Sequence, residues 1–77
     1  MSNFQNYDLM YRKSISSLTV EERVSYCESY VDRATQILVI SGKHMDSRQK
    51  KAIEEMLQAA REEITQLRRQ NQNQEPG

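Results

Sequence analysis

From Val20 onward the apolar positions Val20, Val24, Cys27, Val31, Ala34 and Leu38 recur at steps of four, three, four, three and four. That alternation lines one face of an α-helix. Thr19-Val20-Glu21-Glu22 supplies its start. The Thr19 hydroxyl can accept from the Glu22 backbone N–H while the Glu22 carboxylate reaches back to the Thr19 N–H, a capping box. Glu21 and Glu22 also complement the positive end of the helix dipole. Gly42 directly follows the run Ile37-Leu38-Val39-Ile40 and is expected to stop the helix in the left-handed conformation. After a polar link over residues 42–46, Asp46 with Gln49 three positions on is the expected N-cap of a second helix, with Ser47 as the competitor. Its stripe Ile53, Leu57, Ala60, Ile64 and Leu67, widened by Met56, repeats the same steps and carries the helix to about Gln70.

The two helices match in length, at roughly 22–24 residues or 33–36 Å each. A short link makes them antiparallel neighbours. Folding at Gly42 sets Leu38 near Ile53, Val31 and Ala34 near Leu57, Cys27 near Ala60 and Ile64, and Val20 and Val24 near Leu67. Residues 1–18 read as an arm with a short helix over about 7–16, where Leu9, Met10, Ile15 and Leu18 have loosely helical spacing. The polar residues 71–77, ending in Pro-Gly, read as a disordered tail after the 19–70 hairpin. The fold class expected is all-α: an antiparallel helical hairpin of two long helices with a short N-terminal helix or arm, assembling into a helical bundle.

Composition narrows what such a hairpin does. A chain of 77 residues is one small domain, and domains of this size usually need a disulfide, a metal or a partner chain. With one cysteine and one histidine, neither an intrachain disulfide nor a tetrahedral zinc site from one chain is available. Association with another protein, with itself, or both, is the remaining route, and a homodimer is expected. Lys plus Arg equals Asp plus Glu at 11 each, so a wholly basic nucleic-acid binder is disfavoured. The longest apolar run has four residues, far short of the ~20 of a membrane span. The N-terminus lacks the pattern of a signal peptide, and an unpaired cysteine suits a reducing compartment. The expected location is the cytoplasm, or a host cytoplasm for a viral chain.

The first long helix carries a second line, Tyr26, Tyr30, Ile37 and Ile40, with Arg33 among them. A helix apolar on two faces must be covered twice. Its cover is Phe4, Tyr7, Met10 and Ile15 folding back from the arm, a second copy of the chain, or a different protein. Tyr26, Tyr30, Arg33, Ile37 and Ile40 are therefore the candidate partner-binding residues. Lys43, His44, Arg48, Lys50 and Lys51 cluster at the hairpin tip, where lysines oppose the helix dipole. They offer an alternative contact with phosphate, nucleic acid or an acidic protein face, or else a solvated turn, with Lys50 and Lys51 four residues before Glu54 and Glu55.

Catalytic candidates are weak. His44 lies in a link, Cys27 on an apolar stripe, and the pairs Glu28/Asp32 and Glu62/Glu63 read as solvated helix faces. No phosphate-cradling glycine loop or nucleophile motif is present. No cofactor, metal or small-molecule substrate is expected, and the chain is not expected to be an enzyme.

The order helix, polar break, helix, with Ala34 before the break and Gln49, Leu57, Ala60 and Ile64 after it, resembles the small two-helix co-chaperones of type III secretion needle subunits over residues 20–67. Many helical hairpins share that pattern, and the N-terminal segment departs from the family's shorter form. The resemblance implies a co-chaperone role as one alternative. The leading expectation is a small protein-binding regulator or adaptor, such as an inhibitor, that works through its helical faces. The other alternative is a dimeric nucleic-acid-binding regulator that uses the basic tip.

Overall fold

The computed structural model describes residues 3–74. They form an all-α hairpin with an N-terminal arm. Helix α1 spans Phe4–Tyr7 and α2 spans Leu9–Ser14, followed by a 3-10 turn over Ile15–Ser17. The long helices are α3, Val20–Ser41, and α4, Ser47–Gln74, joined through a 3-10 turn at Gly42–His44. The molecule measures 48 × 25 × 19 Å, the long dimension being that of the hairpin.

Local chemistry sets the helix starts as expected. Glu22 N donates to Thr19 Oγ1 at 3.1 Å, and Thr19 N donates to Glu22 Oε1 at 2.9 Å. Asp46 Oδ1 accepts from Gln49 N at 2.8 Å and caps α4. The helix ends differ from the sequence reading. Gly42 is right-handed, with φ −56° and ψ −33°, and a Cβ there would meet open space. The chain instead tightens into the 3-10 turn and leaves it at Met45, which is extended. Helix α4 continues to Gln74, past the expected end near Gln70. The other residues of the expected tail, 75–77, lie outside the described residues.

The seam follows the two heptad stripes. Cys27 and Ala34 of α3 and Leu57, Ala60 and Leu67 of α4 are buried. Leu67 lies beside Val20 and Val24, and Cys27 shares a cluster with Ala60 and Ile64. Burying one leucine of this kind stabilises the fold by about 1.5–3 kcal/mol. An exposed Arg68–Glu28 pair at 3.1 Å bridges the helices and adds little.

The arm is helical but broken at Asp8, whose φ of −122° and ψ of 101° are extended. Its side chain accepts from Tyr11 N at 3.1 Å and starts α2 afresh. One short helix over 7–16 is thus replaced by two. The break changes which residues face inward. Phe4 and Tyr11 are fully buried and Ile15 partly so, whereas Tyr7 and Met10 remain exposed. Phe4 and Tyr11 complete the core with Cys27, Ala59 and Ala60.

Candidate functional site

The second stripe of α3 is divided by the arm. Phe4 sits against Tyr30 with ring centroids 5.0 Å apart, and Tyr11 against Tyr26 at 5.1 Å. Edge-on and tilted rings at these separations are favourable. Tyr26, under the arm, uses its polar tip. Tyr26 Oη donates to Asp8 Oδ2 at 2.9 Å. Burial, and then that bond to a carboxylate, push the Tyr26 phenol up to about 12. Burial also raises Tyr30, with the charge of Asp8 acting in the same direction.

Beneath the arm lies a polar triad. Tyr11 Oη donates to Glu63 Oε2 at 2.5 Å, Arg23 Nη2 donates to the same oxygen at 2.8 Å, and Arg23 Nε donates to Tyr11 Oη at 3.0 Å. Glu63 is only 3% exposed, so the reading of Glu62/Glu63 as a solvated pair fails at Glu63. A charge so buried needs partners, and a tyrosine and an arginine remote in sequence supply them. Burial and the bond to Glu63 hold the Tyr11 phenol well above its ordinary range. Burial works against the charge of Arg23, but its bonds to Tyr11 and Glu63 outweigh that and raise its pKa. Burial pushes the neighbouring Cys27 thiol up to about 11. A thiol held protonated is a poor nucleophile, so the triad and Cys27 read as the arm's anchorage.

Beyond the arm the stripe is open. Asp8, Tyr30, Arg33, Ala34 and Ile37 face Ile53 and Met56 of α4 across a groove of about 280 Å³. Ala34 is buried, while Ile37 is 45% and Ile40 74% exposed. The five partner-binding candidates are therefore split. Tyr26 and Tyr30 are half-buried and engaged with the arm, whereas Arg33, Ile37 and Ile40 are exposed. The sequence reading missed Ile53 and Met56 as the opposite wall. It placed both on the α4 stripe, but gave no reason to leave them half-covered.

At the tip, Lys43 and His44 lie in the 3-10 turn, and Arg48, Lys50 and Lys51 in the first turns of α4. All five are exposed. Among the described residues, no group of three or more His, Cys, Asp or Glu side chains is placed to hold a metal ion, and no helix is long and apolar enough to cross a membrane. Neither a family model, nor a curated protein, nor a solved structure matches the chain.

Proposed function

We propose that this chain is a small non-enzymatic regulator or adaptor that binds a protein in the open groove between α3 and α4. One observation carries the reading: the arm covers the second stripe of α3 only as far as Tyr30, leaving Ile37 and Ile40 exposed beside an apolar groove. Large exposed apolar patches on small domains mark contact surfaces. The groove holds about 280 Å³. It is open along a helix pair and suits side chains from another polypeptide better than a free ligand.

Occlusion or bridging of the bound protein then follows from the rigid hairpin, with no chemical step. The test is to immobilise the chain and compare what it captures with what two variants capture. Ile37→Asp/Ile40→Asp is expected to lose the captured protein while keeping the helical circular dichroism and melting point, since both side chains are exposed. Lys50→Glu/Lys51→Glu is expected to retain it. The reverse pattern, with steep loss of binding in salt, would move the function to the basic tip and to a nucleic acid or other polyanion.

A further inference from the structure

Resting on the reading of this groove as a protein-binding surface, we propose that its occupant is a short acidic amphipathic helix of a different protein, which continues along α3 the contact that the arm begins.

The arm shows how this face of α3 is engaged. Phe4 and Tyr11 set their rings on Tyr30 and Tyr26, and Asp8 between them accepts from Tyr26 Oη at 2.9 Å. The contact consists of apolar side chains and a carboxylate that answers a donor on α3. Arg33 follows Tyr26 by about two helical turns and so stands on the same face. It is exposed, it lines the groove, and among the described residues it forms no ion pair. Asp8 is not free to answer it, because its Oδ1 accepts from Tyr11 N and its Oδ2 from Tyr26. The groove is continuous with the arm contact, since Asp8 and Tyr30 belong to both. Its next donor lacks a carboxylate.

The surrounding charges match that reading. Arg12 lies one turn after Asp8 on the same face of α2, with Lys13 beside it. Lys43 follows Ile40 beyond the other end. All three are exposed. The carboxylates of this part of α3, Glu28 and Asp32, line a separate cleft with Arg61 and Arg68. Glu54 and Glu55 lie outside the groove's lining, and Asp46 caps α4. A segment entering the groove therefore meets cations at both ends and at Arg33, whichever way it runs. From Tyr30 to Ile40 the open stretch measures about 15 Å, or two to three helical turns. Apolar residues at i, i+4 and i+7 of the occupant then meet Ile37, Ile53 and Met56. A nucleic-acid backbone would satisfy the cations but leave these three without apolar contact.

The probes are two labelled synthetic helical peptides of about 15 residues, each with leucine at i, i+4 and i+7. One carries glutamate at the remaining positions and the other lysine. Fluorescence anisotropy with the full chain at low salt should show the glutamate peptide binding about ten-fold or more tightly, a gap that narrows as salt is added. Arg33→Glu should reverse the preference. Ile37→Asp should weaken the glutamate peptide by about ten-fold or more. Arg61→Glu makes the same change of net charge in the other cleft and should leave both peptides unaffected. All three positions are exposed, and an unchanged circular dichroism spectrum checks that each variant folds. Failure of the glutamate peptide to bind, equal binding of the two, or equal losses in Arg61→Glu and Arg33→Glu overturns the acidic occupant. Binding without charge preference that is still lost in Ile37→Asp overturns the acidic occupant and keeps the groove. Binding indifferent to Ile37→Asp removes the groove reading as well. Two further results would overturn the proposal. One is a mass in light scattering that rises from 9.1 kDa toward twice that value and returns in Ile37→Asp, which puts a second copy in the groove. The other is tighter binding of a single-stranded oligonucleotide, lost in Arg33→Glu and kept in Ile37→Asp.

Discussion

Along one face of α3, two stretches a few turns apart are built from different chemistry. The stretch under the arm is aromatic. Tyr26 and Tyr30 stack with Phe4 and Tyr11, and the hydroxyls of Tyr11 and Tyr26 end on Glu63 and Asp8. The stretch toward the tip is aliphatic, with Ile37 and Ile40 exposed. Aromatic rings with polar tips fix direction as well as contact, because a misplaced ring leaves a buried donor unsatisfied. Isoleucines on an open groove impose no such condition. The first stretch therefore holds one segment of the chain in one position, and the second suits a contact that forms and dissolves. Both rest on the same seam.

Breaking the seam should abolish both stretches. Leu57 is buried at the middle of the α4 stripe, and Leu57→Asp places an unpaired charge there. Loss of the helical signal at room temperature is expected, and an unchanged melting point would mean the seam lies elsewhere. Tyr11→Phe should act on the aromatic stretch alone. It removes one of the two partners of buried Glu63 and should cost about 1–3 kcal/mol. Amide exchange should quicken in residues 4–17 while the α3–α4 seam stays protected.

Alkali should act on the same stretch. In the unfolded chain Cys27 loses its proton near the ordinary 9.0 of a free thiol and Tyr26 near the 10.0 of a free phenol, whereas in the fold they hold it to about 11 and about 12. A raised pKa of this kind contributes stability that is fully present below the unfolded value and is lost as pH rises through the folded one. A melting point that falls from pH 9 toward 12, less steeply in Cys27→Ala, is the expected result. The smallest effect belongs to the turn. Gly42→Ala should stabilise by about 0.4–1 kcal/mol by restricting the unfolded chain, since its backbone is right-handed and its Cβ would meet no atom.

The hairpin was legible because its signals are local and periodic. The capping box at Thr19, the cap at Asp46 and the two heptad stripes each act within a few residues, and each recurs in the structure. The arm was less legible. Phe4, Tyr11 and Ile15 are spaced by seven and four, a helical phase, but the polar positions and serines around them obscure it. The extended break at Asp8 has no strong signature, since an aspartate serves equally as a cap or as a helix-surface residue. Glu63 was misread for a physical reason: a carboxylate beside another on a helix is ordinarily solvated. Its burial depends on Arg23 and Tyr11, 40 and 52 residues away, and no periodicity along α4 reports them. Of the binding candidates, the stripe itself was visible. Where the arm stops along it was not, because that depends on how two short helices fold across a groove.

The separation of 52 residues between Tyr11 and Glu63 also orders events in time. A chain is synthesised from its N-terminus, at about 5–20 residues per second. The arm emerges well before it can be fastened, because its anchoring carboxylate follows 52 residues, or a few seconds, later. Until then Tyr26 and Tyr30 of a newly made α3 have no closed clamp above them. The interval in which the whole stripe stands bare is thus set by translation speed, and a pause between the codons for Ser41 and Glu63 would lengthen it.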